Sequence, residues 1–288
     1  MEATKLDDLE CGLSAHQLRA MIFCGIQGST MSHQHSVQAH LGMAAKDYDR
    51  VIRTWIPGYE RMLSTIVWWL SQIIPQHGRV IELGGGTGAL AEAVLSTLPN
   101  IHLEIWDIDA KMLAVAEDRL RKFEDRIALR EKSFTEELTD CHAVIATLSL
   151  HHIPTLDAKS AVYRNIFDVL SEGGIFLNGD CTMDMTEPTH GVMIQYWLDF
   201  MAKHGITEAE GRNHLADWAK EDTYQQMFDE LSILAQAGFR RPEVYWRNAP
   251  FAVYGGIKSN CTGGPRSASS AAPSLKNAKR KRGSAQPQ

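Results

Sequence analysis

No stretch of this chain is both uncharged and apolar over about 18 residues, so no membrane-spanning helix is expected. The most apolar segment, TIVWWLSQII, is too short. The opening residues, MEATKLDDLE, carry acids and no apolar core, and do not read as a secretion signal. The five cysteines, Cys11, Cys24, Cys141, Cys181 and Cys261, form no CxxC pair. This argues against a disulfide framework and a cysteine-based zinc site, and for free thiols in a reducing, cytoplasmic setting. An excess of positive charge is missing too. The net charge is −6, and residues 259–288 hold six Lys/Arg and no acid, so the remainder carries −12. An acidic body is a poor general partner for nucleic acid.

Three regions follow from composition. Residues 259–288 are rich in Ser, Ala, Gly and Pro and cannot bury enough apolar surface to order themselves, so a disordered basic tail is expected. Its KRKR, Lys279 to Arg282, fits a nuclear address in a eukaryote or a solubilising tail. Residues 1–42 form an N-terminal extension with one short helix candidate, SAHQLRAMIFCGIQ. His33, His35 and His40 lie near its end. No neighbouring carboxylate or cysteine completes a ligand set, so a polar linker and no metal site are expected.

Between 43 and 258 the pattern is regular. The run AAKDYDRVIRTWIPGYERMLSTIVWWLSQII reads as two helices, with Pro57 in the first turn of the second. Strands RVIEL, IHLEIWDID, RIALREKS, HAVIATLSL and GIFLNGD then alternate with helical segments. This rhythm predicts an α/β fold with a mostly parallel sheet and helices on both faces. Residues 182–237 contain no good strand. Helices are expected at HGVMIQYWLDFMAKHG and EDTYQQMFDELSILAQAGF, as an insertion suited to a lid over a substrate. RPEVYWRN and FAVYGGIK are joined too closely for a parallel crossover, so the last strand is expected to be antiparallel.

The stretch VIELGGGTGAL is a strand, a glycine turn and a helix start. Such a turn presents bare N–H groups and a positive helix end to a ligand. Gly84, Gly86 and Ala89 alone satisfy a dinucleotide pattern, with Asp107 placed to take ribose hydroxyls. A nicotinamide-dependent oxidoreductase therefore stays open on the turn alone. Glu82 argues the other way, because a carboxylate beside the turn repels a pyrophosphate and suits an ammonium group.

The ordered set VIELGGGTG, IWDIDAKML, AVIATLSLHHIP and LSEGGIFLNGD resembles the motifs of class I S-adenosylmethionine-dependent methyltransferases. The resemblance implies a Rossmann-like, seven-stranded, mostly parallel sheet and S-adenosyl-L-methionine as cofactor. It implies that Gly84, Gly86 and Gly88 admit the cofactor, that Glu82 fixes the turn or meets the ammonium, and that Asp107 takes the ribose hydroxyls. Ile108 is implied as an adenine contact. An aspartate common in relatives after the third strand is replaced here by Ser133, followed by Phe134. Thr147 is expected at the methionine end, and Tyr48 in the segment that closes over the cofactor.

For the chemistry, SLHHIP places His151 and His152 after the fourth strand, where open α/β sheets bind ligands. His151 aligns with a general base of some hydroxyl methyltransferases, while His152 either shares that work or only packs. Trp55, Tyr59, Tyr196, Trp197 and Trp218 are candidates for an aromatic acceptor cavity. The expected function is methyl transfer to a small molecule, at oxygen rather than at nitrogen, carbon or sulfur. Nucleic acid is disfavoured as acceptor. IPGYERML resembles the opening segment of carboxy-S-adenosylmethionine synthases of tRNA modification, which stand as a minor alternative, beside a non-catalytic cofactor-binding regulator. The apolar face of IVWWL would suit a homodimer.

Overall fold

The computed structural model describes residues 36–259. The expected tail from residue 260, the first helix candidate, His33 and His35 lie outside the described residues. Within them, a short helix α1 (Val37–Leu41) precedes α2 (Tyr48–Trp55) and α3 (Tyr59–Ile73). Then come β1 (Arg79–Leu83), α4 (Ala89–Thr97), β2 (His102–Asp107), α5 (Ala110–Leu120) and β3 (Ile127–Glu131). β4 (Cys141–Thr147), α6 (Leu156–Val169) and β5 (Leu170–Cys181) complete the regular alternation. Helices α7 (His190–Lys203), α8 (Glu208–Trp218) and α9 (Met227–Ala237) precede the hairpin of β6 (Glu243–Asn248) and β7 (Phe251–Ile257). No helix among the described residues is long and apolar enough to cross a membrane.

The strands form one sheet in the order β3-β2-β1-β4-β5-β7-β6. Pairing is parallel from β3 through β5, and β7 runs antiparallel to both β5 and β6. The order reverses direction between β1 and β4, so the crevice at their carboxyl ends is the expected ligand site of an open α/β sheet. Alternate side chains of each strand enter different cores. Val80, Ile145, Leu177 and Val253 pack with α2 to α5, α7 and α8. Ile81, Val144, Phe176 and Tyr254 pack with α6 and α9. Burial of both faces explains why these strands read as continuous apolar runs.

Three boundaries differ from expectation. Pro57 lies in the turn before α3, because Gly58 adopts φ 78° as its N-cap and the helix starts at Tyr59. Strand β5 begins at Leu170 rather than after the SEGG turn, since Leu170 already pairs with Cys141 before the register shifts. The helix expected from Glu221 begins only at Met227. The Thr223 amide instead donates to the His151 carbonyl at 2.8 Å, which holds this segment out as a non-helical strap. Helix α9 packs on the α6 face of the sheet, whereas α7 and α8 lie on the opposite face.

A polar network crosses the α6–α9 core. The Lys159 ammonium donates to Glu230 Oε1 at 2.7 Å, and the Tyr163 hydroxyl donates to Oε2 at 2.6 Å. The Lys159 and Glu230 side chains are 2% and 1% exposed. Glu230→Ala would leave a buried ammonium without its counter-ion, which costs about 3–5 kcal/mol. Denaturant unfolding is expected to show that loss, and a change below about 1 kcal/mol would show the pair to be dispensable.

Candidate active site

At the carboxyl ends of β1, β2 and β4 lies a cavity of about 1800 Å³. Its floor is the glycine turn, whose shape is set by backbone sterics. Gly84, Gly86 and Gly88 have φ of 65°, 56° and 76°, a region that side-chain-bearing residues rarely adopt. A Cβ on Gly84 would lie 2.3 Å from the Ser149 Cβ, so the β1 turn and the β4 loop meet backbone to side chain. Ser149 Oγ seals that contact by donating to the Leu83 carbonyl at 2.9 Å.

Asp107 at the end of β2 clasps the turn. One carboxylate oxygen accepts from Gly86 N and the other from Asp109 N, each at 2.8 Å. A carboxylate oxygen takes more than one hydrogen bond, so the clasp is compatible with hydroxyl donors from a ligand. Glu82 lines the cavity beside the turn and is 2% exposed. Burial, with a smaller contribution from Asp107, pushes its carboxyl up to about 8. Its Oε2 is buried without a hydrogen-bond partner, as is Thr147 Oγ1. An orphaned carboxylate oxygen beside a bare turn fits a ligand bearing an ammonium, so the residues present suit an amino-acid cofactor.

Most expected site residues line this one cavity: Tyr48, Glu82, Gly84, Gly86, Asp107, Ile108, Ser133, Phe134, Thr147, His151 and His152. Gly88 is the departure. It does not line the cavity, and a Cβ there would sit 3.1–3.2 Å from Leu120 and Ala116. Its bare backbone serves the packing of α4 on α5. Tyr48 is positioned by its neighbour Asp49, which accepts from Thr87 Oγ1 at 2.8 Å and pairs with Arg119. Ser133 is half-buried at the rim, its hydroxyl 2.8 Å from Thr135 Oγ1. Of the aromatic candidates, Trp55, Tyr59, Trp197 and Trp218 line the cavity. Tyr196 instead faces outward and donates to Asn248 Oδ1 at 2.6 Å. Tyr224 and Phe251 complete the wall.

His151 sits on the loop after β4, where Leu148 takes the left-handed φ of 50°. Its Nδ1 lies 2.6 Å from Asp180 Oδ1, and both side chains are buried. Asp180 Oδ1 also accepts from the Cys181 amide at 2.9 Å. Burial lowers the His151 pKa, but the charge and hydrogen bond of Asp180, with Asp222 adding, outweigh it and hold the pKa above the usual imidazole value. Burial likewise raises Asp180, and His151 more than reverses this, keeping the carboxyl below its usual range. The pair is thus an imidazole made more basic by a fixed carboxylate. Asp180 and Asp222 were not among the sequence candidates. A signal existed for the first, an acid near the end of the buried strand GIFLNGD, but none for the second, which sat within an expected helix.

Residues 81–176 match a family model described as a methyltransferase domain. The chain is 24% identical over 214 residues to a carboxy-S-adenosyl-L-methionine synthase of Nautilia profundicola, covering 73% of this chain and 90% of that protein. It is 23% identical over 230 residues to a ubiquinone/menaquinone biosynthesis C-methyltransferase of Bartonella tribocorum, covering 76% and 86%. In fold it is similar to an O-methyltransferase family protein from Burkholderia thailandensis, with a TM-score of 0.56 and 18% identity over 85% of this chain and 70% of that one. Sheet order and glycine turn are those of the class I S-adenosylmethionine-dependent methyltransferase fold, and residues 81–176 carry the match to a methyltransferase domain. The chain is an enzyme with a methyltransferase domain, and S-adenosyl-L-methionine is its cofactor.

Asp107→Ala removes acceptors from two backbone amides even without ligand. The ligand-free protein is expected to lose about 1–3 kcal/mol in denaturant unfolding. Wild-type stability would show that Asp107 does not hold the turn.

Proposed function

We propose that this enzyme transfers the methyl group to a hydroxyl oxygen of a small, largely apolar acceptor. The observation that carries the reading is the buried His151–Asp180 pair opening into an aromatic-walled cavity shared with the glycine turn. The cofactor supplies an electrophilic methyl on a sulfonium. The aromatic wall aligns the acceptor and keeps water out. His151 Nε2 takes the hydroxyl proton while Asp180 holds Nδ1–H and balances the imidazolium. With the cofactor held at the glycine turn, the acceptor oxygen would take the methyl as the carbon–sulfur electron pair stays on sulfur. Glu82 holds the ammonium, Asp107 the ribose hydroxyls, and Ile108 and Phe134 flank the base beside Ser133.

His151→Ala and Asp180→Asn are expected to slow methyl transfer by about 10²–10⁴. Labelled cofactor with a panel of phenols and a small-molecule extract reads this, with affinity for S-adenosylhomocysteine as the control. Unchanged rates in both variants would remove the base from the mechanism.

A second reading, formation of carboxy-S-adenosyl-L-methionine itself, is favoured by the similarity to carboxy-S-adenosyl-L-methionine synthases. Among the described residues, the Lys and Arg side chains lining the cavity are Lys132 and Arg164, near Ser133 and Asn165. Glu221 and Asp222 line the His151 end, which is unfavourable for a carboxylated co-substrate. A product heavier by a carboxyl group would decide for this reading.

Glu82 generates a pH prediction. In the ligand-free fold its carboxyl is held up to about 8, so its contribution to stability is lost as pH rises through that value. Meeting an ammonium requires the ionised form. S-adenosylhomocysteine binding near neutral pH should therefore release a proton, and affinity should rise with pH by up to about tenfold per unit below the pKa. Calorimetry in two buffers of different ionisation enthalpy measures the release. Glu82→Gln should abolish it, and an unchanged release in that variant would assign the proton to another group.

A further inference from the structure

Segments far apart in sequence converge on one carboxylate oxygen. His40 Nε2 and His152 Nδ1 each lie 3.2 Å from Asp222 Oδ1, and His151 Nε2 lies 3.6 Å away. The Asp222 side chain is 5% exposed. Its other oxygen accepts from the Tyr224 hydroxyl at 2.7 Å. Three imidazoles thus face a single buried carboxylate oxygen at close range. One donor atom from each of His40, His152 and Asp222 lies within 4.8 Å of the others. Such spacing suits donors that each sit about 2 Å from a shared ion.

We propose that His40, His152 and Asp222 bind a first-row divalent cation, of the zinc or iron(II) type, at the acceptor end of the cavity. Two imidazole nitrogens and one carboxylate select such borderline cations over magnesium or calcium, which favour oxygen ligands. Glu221 lies 3.3 Å from His40 Nδ1, where a carboxylate orients a metal-bound imidazole through its other nitrogen. All three ligands line the cavity, so the remaining coordination positions face the acceptor. An acceptor hydroxyl bound there would lose its proton more readily. That consequence rests on the proposed transfer to oxygen, whereas the cation site itself does not. The local sequence around His33, His35 and His40 lacked a carboxylate, and the fold brings Asp222 to His40 from the far side of the sheet sequence.

The test uses chelator-treated full-length protein titrated with cobalt(II) as a spectroscopic probe, with zinc as competitor. One equivalent is expected to bind with a four-coordinate or five-coordinate visible spectrum. His152→Ala and Asp222→Asn should each weaken binding by at least about 100-fold, beyond the loss expected for an outer partner. His40→Ala, on the peripheral α1, keeps the test valid if changes near the strap impair folding. Zinc should raise the unfolding midpoint of the wild type and of a His33→Ala/His35→Ala double variant, but not that of Asp222→Asn. Absence of stoichiometric cobalt, or binding that survives Asp222→Asn or His40→Ala, overturns the site. Cobalt binding without any methyl transfer to oxygen would leave the site standing and overturn the oxygen reading instead.

Discussion

The His151–Asp180 pair is the constraint around which the rest of the protein is arranged. A charged pair buried at the edge of a sheet is costly unless hydrogen bonds hold it and neighbours fix its geometry. Beneath it, Asn178 donates to the Tyr254 hydroxyl at 2.8 Å, and the Tyr163 and Tyr254 hydroxyls lie 3.4 Å apart. Tyr163 in turn meets the Lys159–Glu230 pair, so polar groups continue from the site through the α6–α9 core. Above it, the strap holding Thr223 hydrogen-bonds to the His151 carbonyl. Removing Asp180 would leave the buried His151 Nδ1 and the Cys181 amide without their acceptor.

The glycine turn depends on a different economy of contacts. Its left-handed residues leave backbone amides without helical partners, and Asp107 answers one of them directly. Ser149 fills the space that a side chain on Gly84 would need. Among the described residues lining the cavity beside the turn, Glu82 Oε2 and Thr147 Oγ1 are buried oxygens without partners. These orphans mark where a ligand still has something to offer.

Much of this was legible in the sequence because it is local. Strand, turn and helix follow one another within VIELGGGTGAL, and the acid at the end of β2 lies at a spacing fixed by one crossover. The same locality misled at Gly88, where a glycine of the motif answers to the packing of α4 against Ala116 and Leu120. What was not legible is convergence. Asp222 lay in a run with helical composition, and the bond of the next residue, Thr223, to the His151 carbonyl ties that run to the loop after β4 instead. Tyr196 and Trp197 are adjacent in sequence, yet one faces outward and the other the cavity, because a helix turns by 100° per residue.

The two ends of the cavity rest on unlike foundations. The floor is made from strand ends whose positions are locked by pairing with neighbouring strands. The walls come from α2, α7, α8 and the strap, which attach to the sheet by side-chain packing. Packing tolerates exchange of residues of similar bulk far better than a strand register tolerates a slip. The repertoire of accepted molecules is thus separable from the machinery that activates the methyl donor: substitutions at Trp55, Trp197 or Trp218 can recast the former while the latter is inherited unchanged.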